Sequence, residues 1–209
     1  MIPATILIPL TSLVVVTAAL WWFKYKKPFV VADLVFQAKN QQVSFHYPLT
    51  WTLKIKNDVG YVFGPDKSSI RLWFGLNNGF VSTCETTLGP IEIISTEPVS
   101  LSGLGQPLRY IEAVLPASTK PGKYVVYFGL APDQPPFDQP QTFTGCLGDV
   151  KSPIFVPGST SKTIIEFHSL MYANQFDAFT FTSKASALDF FQSSAYQQAK
   201  QVILSVQFG

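Results

Sequence analysis

Residues 108–130, LRYIEAVLPASTKPGKYVVYFGL, decide the fold. Two runs rich in β-branched and aromatic residues, 108–115 and 124–130, flank a polar connection that contains Pro121-Gly122. Such runs favour strands, and a Pro-Gly pair favours a turn. The stretch therefore predicts a β-hairpin. In its second arm, alternate residues share one face of the strand: Tyr124, Val126, Phe128 and Leu130.

Short strand patterns lie on both sides of this hairpin. Apolar and polar side chains alternate in residues 43–47 and 51–56, and the turn residues 57–60 follow. The pattern predicts a meander of short antiparallel strands. Further strand-like runs occur at residues 29–36, 61–63, 70–76, 91–94, 163–168 and 176–181.

The end of the chain has helical spacing. Residues 185–191 predict a turn or two of helix, and Ser193 or Ser194 can cap a second helix. Apolar residues recur in that helix, while Lys200 and the glutamines face away. The recurring residues are Tyr196, Ala199, Ile203 and Val206. We predict an α+β fold, an antiparallel β-sheet with the C-terminal helix packed on one face and residues 206–208 extended.

The beginning of the chain reads as a membrane anchor. Residues 1–23 carry no charge, and residues 6–20 are almost continuously apolar. About 20 apolar residues in a helix cross a bilayer core of about 30 Å. Trp21 and Trp22 suit the membrane–water boundary. We predict a single N-terminal transmembrane helix that precedes the soluble fold.

This prediction sets the domain boundaries. The anchor and its basic flank, which holds Lys24, Lys26 and Lys27, occupy residues 1–27, and a single soluble α+β domain occupies residues 28–209. Two alternatives stay open. One is a signal peptide cleaved near residues 17–19, although no basic residue precedes the apolar run. The other is a buried core helix, although the run lacks a polar face.

Composition limits the partners of the soluble domain. Charged residues are only 13% of the chain, about half the usual share. Apart from the three lysines of the basic flank, 12 basic residues balance 13 acidic ones. A near-neutral domain without a basic patch argues against nucleic-acid binding. The membrane and an envelope protein or ligand are the partners that we expect.

The two cysteines, Cys84 and Cys146, lie in polar stretches of sequence. A reduced structural cysteine is usually buried like a small hydrophobe, so we predict a disulfide and an oxidising compartment. Closing a loop of roughly 60 residues would stabilise the fold by about 4 kcal/mol in the chain-entropy description. Cys146 falls in a proline-rich excursion at about residues 131–162. Two unrelated thiols are the alternative.

Two end motifs indicate a family resemblance. Residues 45–51 read FHYPLTW, and residues 196–208 read YQQAKQVILSVQF. Together they resemble PsbP-like domains, including membrane-anchored bacterial proteins of that shape. The resemblance implies an antiparallel sheet flanked by helices, export from the cytoplasm, and a role as an accessory or binding module. It implies no catalytic residues.

The sequence features disagree about the side of the membrane on which the domain lies. Three lysines after the apolar run place the domain in the cytoplasm by the positive-inside rule. The cysteine pair, the Ser/Thr/Gln-rich surface and the family resemblance place it outside. We predict an extracytoplasmic domain.

Candidate catalytic residues are few. Glu166 and His168 alternate on a predicted strand, so they share a face and could perform acid–base work or hold a metal. An exposed polar strand face is the simpler interpretation, and we predict neither cofactor nor metal. His46 is expected on the polar face of its strand. Trp73, Tyr110 and Tyr127 are expected in the core or in cross-strand pairs, and ligand platforms are the alternative.

Three functions follow from these features. The favoured one is a membrane-anchored, extracytoplasmic binding or accessory module without catalysis of its own. An envelope hydrolase would use the carboxylate–imidazole pair. A pilin-like filament subunit would use the N-terminal helix for assembly.

Overall fold

The hairpin predicted at residues 108–130 lies inside the larger of two sheets. This computed structural model describes residues 33–38, 43–56, 59–64, 71–77, 90–117, 120–143, 154–155, 164–169 and 180–209. The hairpin arms, β7 (Leu108–Pro116) and β8 (Tyr124–Pro132), pair from Leu108↔Pro132 to Pro116↔Tyr124. Gly122 has a φ of 75°, and the Lys123 N–H donates to the Lys120 carbonyl at 3.0 Å. The predicted Pro-Gly turn is therefore confirmed.

The remaining strands are antiparallel to their neighbours, as the meander pattern predicted. They are β1 (Asp33–Gln37), β2 (Val43–Pro48), β3 (Thr52–Lys56), β4 (Val59–Phe63), β5 (Arg71–Asn77), β6 (Ile91–Val99), β9 (Thr142–Phe143), β10 (Ile154–Phe155), β11 (Ile164–Ser169), β12 (Thr180–Phe181) and β13 (Gln207–Phe208). The larger sheet has the order β3-β4-β5-β11-β8-β7-β6-β9, with β10 beside β11 and β12 beside β8. The smaller sheet has the order β1-β2-β13.

The second sheet is a difference from the single sheet that the sequence predicted. The extended C-terminal residues form β13, which pairs with β2 through Gln207↔Ser44 and Phe208↔Val43. The strand at residue 91 is also longer than predicted and reaches Val99, because β6 pairs with β7 as far as Val99↔Leu108. Tertiary pairing sets that strand end, and the local pattern of Ser95 and Thr96 does not reveal it.

The larger sheet buries side chains on both faces. On the helix side, β7 and β8 contribute Tyr110, Val114, Val126 and Phe128 to a core shared with the C-terminal helices. On the other side, Ile111, Ala113, Val125 and Tyr127 join a second apolar cluster. Tyr110 and Tyr127 are therefore core residues, as predicted. A central antiparallel hairpin that is buried on both faces explains why apolar residues run nearly without interruption along its arms.

Two helices close the chain. Helix α1 (Lys184–Phe190) begins at the capping residue Ser183, and helix α2 (Ser194–Leu204) begins at Ser193. Tyr196, Ala199 and Ile203 are buried on α2, as the predicted periodicity requires, and Val202 is buried beside them. Val206 is also buried but lies beyond the end of the helix. Helix α2 also contacts the smaller sheet, where the Ser205 hydroxyl accepts from the His46 N–H at 2.8 Å. His46 itself is half-buried. The predicted packing of a C-terminal helix on one sheet face is confirmed.

Replacing Ser193 by Ala should lower the free energy of unfolding by about 1 kcal/mol, because its hydroxyl is the N-cap acceptor for the Tyr196 N–H at 3.1 Å. Equilibrium chemical denaturation measures the change. The matched control is Ser194→Ala at the exposed next position, where we expect almost no change. Equal effects at the two serines would contradict the assignment of the cap.

Several predicted features fall outside the described residues. These are the anchor and basic flank at residues 1–27, Cys84, Cys146 and most of the second half of the proline-rich segment. Within the described ranges, no helix has the length and apolarity needed to cross a membrane.

Candidate functional site

A charged residue lies within the most buried part of the larger sheet. Tyr110, Glu112 and Val114 share the helix-facing side of β7, because alternate strand residues point to one face. The Glu112 side chain is only 13% exposed. A carboxylate in such surroundings requires hydrogen-bond donors or a counter-charge to offset the loss of hydration.

Helix α2 supplies those donors. The Tyr196 hydroxyl donates a short hydrogen bond to Glu112 Oε1. Lys200 Nζ lies 3.4 Å from the same oxygen and 2.7 Å from Oε1 of Glu97 on β6. We call Glu97, Tyr110, Glu112, Tyr196 and Lys200 the Tyr-Glu-Lys cluster. Lys200 links α2 to both strands, because it contacts Glu112 on β7 and Glu97 on β6.

The position of Lys200 differs from the sequence prediction, which placed it with the glutamines away from the sheet. That prediction was wrong because Lys200 lies one helical turn after Tyr196, and i,i+4 residues are neighbours on a helix surface. Its long apolar stem can cross the helix edge while the ammonium keeps a charged partner. Lys200 Nζ also lies 4.7 Å from the ring centroid of Tyr110, within range of a cation–π contact.

An irregularity in β6 places Glu97 in the cluster. The pairing of β6 with β7 shifts register between Ile93 and Ser95. One extra residue in a strand reverses which later side chains face each side. Ile93 therefore packs in the apolar cluster on the face of the sheet away from the helices. Glu97, by contrast, pairs with Tyr110 on the helix-facing side. The shift brings a second carboxylate to Lys200.

Burial controls the ionisation of the two phenols. Desolvation is the largest effect on Tyr196 and raises its pKa far above the usual value of 10.0, and the neighbouring Tyr110 and the bond to Glu112 raise it further. Desolvation likewise raises the pKa of Tyr110, although the nearby Tyr196 hydroxyl partly opposes this. The Tyr110 hydroxyl makes no hydrogen bond of good geometry with any described residue. Tyr196 therefore acts on the pKa of Tyr110 through its closeness alone. Both phenols therefore keep their protons at neutral pH.

The protein should lose stability above about pH 10. The folded pKa of each phenol lies above the unfolded value, so the unfolded chain releases those protons first. Alkali then favours unfolding by up to about 1.4 kcal/mol per pH unit for each tyrosine. Denaturation curves across this pH range measure the slope. Tyr196→Phe should reduce it, and an unchanged slope would contradict the raised pKa.

A second polar network lies on the opposite side of β7. Arg109 Nε donates to Thr96 Oγ1 at 2.7 Å, and the Thr96 hydroxyl donates to the Phe137 carbonyl at 2.7 Å. Arg109 Nη1 lies 2.8 Å from Asp133 Oδ1. Phe137 is buried in the core of that face. These bonds hold the first part of the proline-rich segment against the sheet, with the ion pair near the surface.

The structure leaves the predicted catalytic pair undecided. Glu166 and His168 lie on β11, and their Cα partners on β5 are Gly75 and Trp73. Their side chains lie outside the described part of the structure, so the carboxylate–imidazole hypothesis stays a prediction. In the parts of the chain that the structure describes, no three His, Cys, Asp or Glu side chains gather as metal ligands would.

Sequence reasoning missed the cluster, although one signal was present. Glu112 interrupts the apolar run of residues 110–115 on the face that carries Tyr110. A charged residue at such a position must meet a partner after folding. Its partner Tyr196 was recognised only as a periodic core residue, because helical spacing carries no information about where a hydroxyl points.

Comparisons with known proteins include a similarity to a solved structure. No family model and no curated protein matches the chain. Among solved structures, it is similar to cyanobacterial PsbP (CyanoP) from Synechocystis sp. PCC 6803, determined in solution. The match has a TM-score of 0.40 and 10% identity, and it covers 88% of this chain and 96% of that chain. A TM-score this low carries no conclusion about function or family membership, and both stay predictions.

Proposed function

We propose that this chain is a membrane-anchored, extracytoplasmic binding or accessory module without catalysis of its own. The observation that carries this proposal is how the Tyr-Glu-Lys cluster uses its polar groups. Glu112 accepts from Tyr196 and Lys200, and Lys200 also pairs with Glu97. Groups committed to one another in this way fasten α2 to the sheet.

The chemistry of the cluster supports a structural role. A general base needs a pKa near the working pH and an open position beside the proton that it removes. Desolvation raises the pKa of both Tyr110 and Tyr196, so neither phenol becomes a phenolate nucleophile at neutral pH. One oxygen of Glu112 already faces two donors. The polar groups of this cluster thus support a structural role and offer no free group for catalysis.

Membrane attachment rests on the N-terminal sequence. Residues 1–23 are uncharged, and Lys24, Lys26 and Lys27 follow them. A hydrophobic segment of this length that ends in tryptophans and lysines is typical of a membrane anchor. The near-neutral domain behind it suits a binding module whose partner is a protein or a ligand in the envelope.

Attachment and sidedness can be measured together with the full chain in a bacterial host. We expect the protein to remain in the membrane fraction after alkaline carbonate washing. A membrane-impermeant amine reagent should label its lysines in intact cells, and Cys84 should be bonded to Cys146. Release by carbonate would overturn the anchor. Labelling only after lysis would overturn the extracytoplasmic placement.

Combined replacement of Glu166 and His168 by Gln should leave the fold and any cellular phenotype unchanged, because the proposal gives neither side chain a chemical role. Circular dichroism and denaturation check the fold, and a strain without the protein supplies the reference phenotype. Loss of a measurable activity in a folded variant would instead support the hydrolase hypothesis and contradict a non-catalytic module.

A further inference from the structure

We propose that the open end of the β1–β2 hairpin, where β1 begins and β2 ends, docks on the lipid surface. This region, the β1–β2 tip, comprises residues 33–35 of β1 and residues 49–50 of the turn after β2. The inference rests on the proposed membrane anchoring and deepens it, since it assigns the face of the domain that lies against the bilayer.

The β1–β2 tip carries large apolar side chains that are exposed to water in the isolated domain. Leu34 is 39% exposed, Val35 is 57% exposed and Leu49 is 56% exposed. Among the described residues these are the large hydrophobic side chains that stand out as exposed. Apolar residues scattered singly over a surface are ordinary, but a group at one place marks an interaction site.

Strand register places the three residues together. Asp33 pairs with Pro48, and Leu34 pairs with Tyr47. Leu49 follows Pro48 in a turn that the Trp51 N–H closes on the Pro48 carbonyl at 2.9 Å. Leu49 therefore lies at the end of the hairpin where β1 begins.

The shape of this apolar group favours lipid over a flat protein partner. Leu34 and Val35 are successive strand residues, so they point to opposite faces of β1. A protein surface would cover one face of the strand and leave the other in water. The headgroup region surrounds an element that enters it end-on, and it can cover both faces and the turn.

The short connection between the basic flank and β1 also favours lipid as the partner of the tip. Asp33 is the first described residue, and residues 28–32 separate it from Lys27. Five extended residues span at most about 18 Å. With the lysines at the headgroups, that short connection keeps the beginning of β1 near the membrane surface. The exposed Asp33 carboxylate can stay at headgroup level among those lysines.

The test uses the full chain in vesicles of phosphatidylethanolamine and phosphatidylglycerol. A photo-crosslinking amino acid, benzoylphenylalanine, replaces Val35, Leu49 or, as the matched control, Gln207. Gln207 is exposed and pairs with Ser44, about 13 Å along β2 from Pro48. Flotation reports membrane attachment, and mass spectrometry identifies what each position crosslinks.

We expect the chain to float and lipid adducts to be several-fold more frequent at positions 35 and 49 than at 207. Floating chains with equal lipid adducts at all three positions would overturn tip docking and leave the anchor intact. Crosslinks from positions 35 and 49 to a second copy would make the tip a protein interface and also overturn the proposal. Failure to float would overturn the anchor itself, and tip docking with it.

Discussion

Replacing Gly103 by Ala should destabilise the protein by about 3 kcal/mol or more, because two costs act at one residue. Gly103 has a φ of 79°, a conformation that L side chains rarely adopt. A Cβ at this position would also meet the Phe208 carbonyl oxygen at 2.0 Å. That neighbour is backbone, so no side-chain rotation relieves the contact.

The cost should extend to the smaller sheet. The Phe208 N–H donates to the Ser102 carbonyl at 2.9 Å, next to Gly103. Phe208 belongs to β13, pairs with Val43 and packs in the core shared with α2. Pushing the Ser102 turn away from Phe208 therefore strains the end of β13. Chemical denaturation measures the loss, and reduced protection of the Phe208 amide from hydrogen exchange locates it.

Two other glycines separate the contributions. Gly122→Ala adds strain from a positive φ of 75° in open space and should cost about 1 kcal/mol. Gly105→Ala meets nothing within 4 Å and carries no positive φ, so it should be close to neutral. We expect the loss of stability to be largest for the alanine variant at Gly103, smaller at Gly122 and smallest at Gly105. A Gly103 variant as stable as the Gly105 variant would contradict the predicted clash and strain at Gly103.

Local sequence patterns correctly predicted the elements whose structure depends on residues only a few positions apart. The Pro121-Gly122 turn and the capping serine of α2 follow from residue types whose backbone or side-chain preferences act within a few positions. The helical periodicity of Tyr196, Ala199 and Ile203 likewise identified the buried face of α2. These elements needed no information from distant parts of the chain.

Features that depend on distant pairing were not predictable. The smaller sheet takes its third strand from the end of the chain, because β13 pairs with β2, some 160 residues earlier. The register shift at Ile93 that turns Glu97 toward the helix depends on the pairing of β6 with β7. The same holds for Lys200, whose partners lie on both strands. A sequence pattern records which side chains are polar, whereas their partners are set by sheet register.

Replacing Tyr196 by Phe should lower the free energy of unfolding by about 2 kcal/mol, because the lost hydroxyl donates to a carboxylate. Glu112 would then keep Lys200 at 3.4 Å as its donor in a mostly buried position. The ring of Tyr196 should stay in place, since it packs edge-on against Phe128 with centroids 5.1 Å apart. The loss therefore reports the hydrogen bond and not a cavity.

Tyr110→Phe is the matched control, because it removes the same atom from a neighbouring buried phenol. Among the described residues, the Tyr110 hydroxyl has no hydrogen-bond partner. A buried polar group without a partner costs desolvation and gains nothing, so its removal should be neutral or stabilising. Denaturation of both variants, with Glu112→Gln in a double-mutant cycle, isolates the Tyr196–Glu112 coupling. If Tyr110→Phe costs as much as Tyr196→Phe, the two hydroxyls act as one network, and Glu112 is not held by Tyr196 alone.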